Sequence, residues 1–134
     1  MFKAGKLLAI VATTLALVGC TTLTTNDNSA GTVTWCITEP TQFEVCYDGV
    51  SFAEGASAYD TLVTLDERED RVSFEATDYG DAGMFVTSVN GIAGSNDAFW
   101  KLSYNDSEAM TGISAIKVNN GDKLSFNYEQ VTAQ

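Results

Sequence analysis

The sequence predicts an α+β domain in which one helix lies on a mixed sheet behind an N-terminal hairpin. Three observations carry this reading. Two stretches of period-two alternation, Val33–Thr38 and Phe43–Asp48, flank a turn at Pro40. After Gly55 the spacing becomes helical, and from Val72 onward it returns to two in short runs separated by Gly and Asn turns.

In the first stretch Val33, Trp35 and Ile37 alternate with Thr34, Cys36 and Thr38; in the second, Phe43, Val45 and Tyr47 alternate with Glu44, Cys46 and Asp48. Folding about Thr41 sets Trp35 opposite Tyr47, Ile37 opposite Val45 and Cys36 opposite Cys46. One face then holds the large apolar side chains and the other holds both thiols. Directly opposed cysteines, best at a non-hydrogen-bonded pair, lie within reach of a disulfide, so an oxidising compartment predicts a Cys36–Cys46 bridge. No CxxC spacing marks the pair as a redox catalyst.

Ser57-Ala58-Tyr59-Asp60 has the form of a capping box, and Ala58, Leu62 and Leu65 follow on one side of a helix. The charged run Asp66–Asp70 ends it. Val72, Phe74 and Ala76 begin the next alternation, and a Gly-rich loop, Tyr79–Gly83, follows. Met84–Val89 reads as a strand ending in the Asn90-Gly91 turn, and Phe99–Tyr104 as another ending at Asn105-Asp106. Ile113–Val118 is expected to pair with Leu124, Phe126 and Tyr128 across the turn Asn119–Asp122.

Upstream lies a different kind of signal. Lys3 and Lys6 precede the apolar run Leu7–Leu17, too short to span a bilayer comfortably, which closes on Leu17-Val18-Gly19-Cys20. This reads as a bacterial lipobox. Residues 1–19 are then a cleaved signal peptide, and Cys20 is the lipidation site and the link to the membrane through its acyl chains. Residues 20–32, rich in Thr, Asn and Ser, form a tether, and residues 33–134 form the domain. Thr21 stands where an inner-membrane retention signal would place Asp, so the expected location is the cell envelope, at the outer membrane in preference to the inner. A domain this small gains from a covalent staple.

The chain has a net charge of −11, and loss of Lys3 and Lys6 with the leader takes it to −13. Such a surface repels nucleic acid and anionic headgroups, which excludes nucleic acid as a partner and leaves membrane attachment to lipid. There is no histidine, so neither a Ser-His-Asp nor a Cys-His arrangement can form. Phosphate-binding and dinucleotide fingerprints are absent, and nothing singles out two carboxylates as acid and base. These exclusions point to a non-enzyme without a cofactor. Asp78 with Asp81, or Asp106 with Glu108, lacks the spacing of a calcium loop, so no metal site is assigned.

Five pieces occur in order: Tyr79-Gly80, Phe85–Gly91, Phe99–Leu102, Gly112–Ser114 and Asn120–Leu124. Together they resemble the small C-terminal domain of transcobalamin and intrinsic factor, found alone in many bacterial surface proteins (DUF4430-like domains). The similarity runs from about Gly49 to Tyr128. It implies a β-grasp-like fold and a domain that closes over one side of cobalamin while a helical barrel holds the other. This chain has no such barrel, carries Asp106 where many relatives have glycine, and offers no imidazole to a cobalt.

The resemblance is densest around Tyr79, Gly80, Phe85, Thr87, Ser88, Asn90 and Trp100, which become the candidate ligand-binding residues. Tyr79, Phe85 and Trp100 can stack on a planar ring, while Phe or Trp at positions such as 85 and 100 is more often core. Thr87, Ser88 and Asn90 can bond polar arms of a ligand, or stand on an ordinary strand and turn. Gly80 and Gly83 permit positive φ, which a plain turn also requires. Two functions follow. One is a lipid-anchored module that binds a small molecule, such as a corrinoid or another planar ligand. The other is an interaction or adhesion module that recognises an envelope protein or glycan.

Overall fold

The fold is that of a computed structural model, which describes residues 28–41 and 43–132. Among them run β1 (Ser29–Thr38), β2 (Glu44–Ala53), α1 (Ala58–Arg68), β3 (Phe74–Asp78), β4 (Met84–Val89), β5 (Ile92–Ala93), β6 (Ala98–Tyr104), β7 (Ser107–Glu108) and β8 (Lys123–Gln130). Short 3-10 turns occupy Gly80–Ala82 and Ile113–Ala115. Cys20 and the leader lie outside the described residues. Among those described, no helix is long and apolar enough to cross a membrane.

The hairpin has the register that alternation dictates: Trp35 faces Tyr47, Cys36 faces Cys46 and Ile37 faces Val45, and the two cysteines are bonded. β1 begins at Ser29, so residues 29–32 of the stretch read as tether belong to the strand. At the far end the hairpin outruns the core. Phe43 is 77% exposed and Val45 46% exposed, although both lie on the apolar face.

Five strands form one sheet in the order β2-β1-β8-β6-β7, with β1 and β8 parallel at the centre and the other neighbours antiparallel. First and last long strands side by side, with the hairpin partner outside, is a β-grasp arrangement. A second, three-stranded sheet has the order β3-β4-β5. Asn90 and Gly91, both at positive φ, form the tight turn between β4 and β5.

The predicted strand Ile113–Val118 does not form. Both edges of β8 are taken, one by β1 and the other by β6, so no ladder remains for a hairpin partner. The segment instead docks on the start of α1: Ala58 N–H donates to Ile116 O at 2.8 Å and Val118 N–H to Ala56 O at 3.2 Å. Those two bonds form an isolated antiparallel bridge, Ser57 with Lys117, and Ile113 and Val118 are buried there, so packing accounts for their apolar character without a ladder to β8.

The helix starts at the predicted capping box. Ser57 Oγ accepts from Asp60 N–H at 3.2 Å, and Asp60 Oδ2 accepts from Ser57 N–H at 2.8 Å. Ala58, Leu62 and Leu65 face inward against Trp35, Val50 and Phe126. Full burial of each large side chain contributes about 1.5–3 kcal/mol. Trp35 Nε1 donates to Thr61 Oγ1 at 2.9 Å, so the indole enters the core without losing a hydrogen bond. Arg68 closes the helix and donates through Nη1 to Asp48 O and Gly49 O, each at 3.1 Å.

Candidate functional site

The loop between β3 and β4 is built by close backbone approach. Asp78 Oδ1 accepts from Gly80 N–H at 2.9 Å, and Tyr79 N–H donates to Gly83 O at 3.0 Å. Gly83 has φ 89°, and a Cβ there would sit 2.9 Å from Ser114 Oγ. A Cβ on Gly112 would come within 2.7 Å of Met84 O and 2.8 Å of Ala82 O. Only glycine permits either contact. Ser114 Oγ accepts from Met84 N–H at 2.9 Å and Gly112 N–H donates to Ala82 O at 3.3 Å, clamping the loop onto the segment 112–114.

That clamp holds two rings outside the core. Tyr79 and Phe85 meet edge to face with centroids 5.6 Å apart, and they are 60% and 40% exposed. Beside them, between β4 and β6, runs a cleft of about 170 Å³ lined by Phe85, Phe99, Leu102, Thr111 and Phe126 among others. Phe99, at 39% exposed, continues the apolar face. Lys101 and Glu108 border the cleft. Lys101 Nζ donates to Glu129 Oε1 at 3.0 Å; that hydrogen bond and the carboxylate's charge raise the lysine above its ordinary value, so it stays cationic. Enclosed small-molecule sites hold about 300–1,000 Å³. This cleft is smaller and can cover one edge or one face of a ligand.

Of the residues singled out by sequence, Tyr79, Gly80, Phe85 and Thr87 are exposed, and the rings of Tyr79 and Phe85 meet. Thr87 Oγ1 donates to Glu75 O at 3.3 Å and borders a second shallow depression with Phe99. Three others do not join them. Ser88 is buried. Asn90 is engaged in structure: its Oδ1 accepts from Ser73 N–H at 3.0 Å and its Nδ2 donates to Glu39 Oε1 at 3.0 Å, tying the hairpin to the second sheet. Trp100 is 7% exposed, donates from Nε1 to Ile92 O at 2.7 Å, and packs edge to face on Phe126 and Tyr128. It belongs to the core.

Sequence reasoning missed Phe99. Within β6, alternation turns Phe99 outward and Trp100 inward, so the exposed ring of the two is the one that was not singled out. Among the described residues, one group of three potential metal-binding side chains converges, Cys36, Glu44 and Cys46, and its two thiols are joined in the disulfide.

Comparison with known proteins bears on the fold. None of the curated proteins matches the chain. Haptocorrin, solved in complex with Cbi, superimposes with a TM-score of 0.68 at 15% identity, covering 76% of this chain and 25% of haptocorrin. The match thus spans about a quarter of that protein. A putative metal binding protein from Ruminococcus gnavus superimposes with a TM-score of 0.58 at 17% identity, covering 76% of this chain and 99% of that one. At such identities the likeness concerns the fold, and it supports the resemblance to the transcobalamin C-terminal domain. Residues 55–130, more than half of the chain, match the family described as Domain of unknown function (DUF4430), and the chain belongs to that family.

Proposed function

We propose that this chain is a lipid-anchored, non-catalytic envelope protein whose domain binds a small planar ligand, a corrinoid among the candidates. The observation that carries the reading is the outward aromatic face of Tyr79, Phe85 and Phe99, held by a loop that is clamped through the close approach of Gly83 and Gly112. Contiguous exposed apolar patches often mark interaction or ligand sites. The shared fold with haptocorrin, solved in complex with Cbi, supports a ligand of that class. Because the cleft is small, such a ligand is covered on one side, and affinity is weak unless another protein covers the other.

The non-catalytic part rests on chemistry. Histidine is absent, and Lys101, the one residue bordering the cleft with a shifted proton affinity, is held charged in an ion pair. It is poised neither as a base nor as a nucleophile.

The lipid anchor rests on Leu17-Val18-Gly19-Cys20 behind Lys3 and Lys6, and Thr21 supports the outer membrane. Cys20→Ser is expected to leave unprocessed precursor and abolish acyl labelling. Mature protein of unchanged mass and membrane partitioning in that variant would contradict the anchor. Binding at the aromatic face is tested by titrating the chain from Thr21 onward with cobalamin and following backbone amide shifts.

A further inference from the structure

A second surface, independent of the aromatic face, lies on the outer edge of the five-stranded sheet. Strand β2 is an edge strand, and among the described residues no element pairs with its outer side. Exposed edges invite strand pairing, and proteins usually protect them. One half of this edge is protected. Around Gly49, at φ 68°, the ladder shifts register, and Arg68 takes the carbonyls of Asp48 and Gly49. Among the described residues, the other half, Glu44–Tyr47, has no such cover.

The Cys36–Cys46 pair fixes what that open half presents. Its Cα atoms are 4.1 Å apart, the short spacing of a non-hydrogen-bonded pair, so the N–H and C=O of Cys46 point away from β1. By alternation those of Glu44 do the same. The disulfide joins this edge to the central strand β1, which limits the ordering cost of an added strand.

The two faces of the edge differ in chemistry. Phe43, Val45 and Tyr47 lie on one side and border a groove of about 200 Å³ with Ile37, Glu39 and Arg71. Glu44 and Asp48 lie on the other side, on a chain whose net charge is −11. A strand laid beside β2 would alternate in the same way, meeting apolar side chains on one face and carboxylates on the other. We infer that Glu44–Tyr47 is a docking edge for an extended segment of a partner protein in which apolar residues alternate with lysine or arginine. A second copy of this chain would bring Glu44 and Asp48 against their own kind, so charge disfavours self-pairing.

The test uses the peptide acetyl-Lys-Val-Lys-Val-Lys-Val-amide against the chain from Thr21 onward. Expected are saturable amide shifts confined to Phe43–Asp48 and slowed hydrogen exchange at Glu44 and Cys46. The same residues in blocks, acetyl-Lys-Lys-Lys-Val-Val-Val-amide, are expected to bind at least tenfold more weakly. Glu44→Pro removes one outward N–H and Phe43→Ser one exposed ring; each should weaken the alternating peptide at least tenfold. Both variants are expected to keep the disulfide and the unfolding midpoint, which separates loss of binding from loss of fold. Equal binding of the blocked peptide would mean attraction by charge alone and would overturn the inference. So would shifts centred on Tyr79 and Phe85, no saturation at millimolar peptide, or concentration-dependent self-association lost in Glu44→Pro.

Discussion

Tyr104, near the end of β6, donates its hydroxyl hydrogen to Oδ2 of Asp122, in the turn that enters β8. Asn105 Nδ2 donates to the other carboxylate oxygen at 3.0 Å, and the backbone N–H of Asn119 to Oδ2 at 2.7 Å. One buried carboxylate thus gathers three donors from two turns. Burial alone would raise its proton affinity, but the bonds from Tyr104, Asn105 and Asn119 outweigh it and hold the group below its ordinary 3.8. The same contact raises Tyr104 above its usual value.

A pH dependence follows. A carboxyl whose folded value lies below the unfolded one binds fewer protons in the native state, so its contribution is present above about pH 4. It is lost as pH falls through the depressed folded value. Urea titrations between pH 6 and 2 should therefore show stability falling more steeply below about pH 4 in the parent than in Asp122→Asn. Asp122→Ala, which leaves donors unpaired, is expected to cost about 1–3 kcal/mol at pH 7. Parallel acid profiles for parent and Asp122→Asn would contradict this role.

The disulfide closes a loop with a sequence separation of 10. Chain-entropy arguments give such a bridge about 2–3 kcal/mol of stabilisation. Cleavage by a glutamate-specific protease after Glu44 should leave the two flanking peptides joined through Cys36 and Cys46. The double variant Cys36→Ala, Cys46→Ala should unfold at lower denaturant with its aromatic face intact in the folded fraction. Full alkylation of both thiols in the oxidised protein without prior reduction would be inconsistent with the bridge.

Asp106 sits at φ 67° in the turn after β6, next to Asn105 at φ 48°. That conformation favours glycine at the second position. Asp106→Gly removes the left-handed strain and gives up an exposed ion pair with Lys123, 3.6 Å long and worth little in water. The substitution is expected to stabilise by about 0.5–1 kcal/mol, read as a rise in thermal midpoint. A fall in the midpoint would show that Asp106 makes a larger contribution through Lys123 than an exposed pair normally does.

Local chemistry made much of this fold legible. The cysteine register came from period two, the helix start from Ser57 and Asp60, and the β4–β5 turn from Asn90-Gly91. What the sequence hid was long-range. Parallel pairing of β1 with β8 joins residues such as Trp35 and Leu124, and no local pattern announces it. Once β1 and β6 occupy the two edges of β8, Ile113–Val118 cannot join it, so an apolar spacing that looked strand-like packs at the start of the helix instead. The candidate site was half legible for a related reason. Aromatic and polar types point toward a ligand face, but only packing decides that Phe99 faces outward while Trp100 faces inward, and that Asn90 holds Ser73 and Glu39.

The most direct measurement is therefore a titration of the chain from Thr21 onward with cobalamin, comparing the parent with Tyr79→Ser, Phe85→Ser and Trp100→Phe. Tyr79→Ser, at an exposed site, should change stability by about 0.5 kcal/mol or less. The account predicts weak, saturable shifts clustered at Tyr79–Thr87 and Phe99, abolished in the Tyr79 and Phe85 variants and retained in the folded Trp100 variant. Absence of shifts at millimolar cobalamin, or shifts unaffected by loss of both exposed rings, would contradict the assignment of this face as a site for that ligand class.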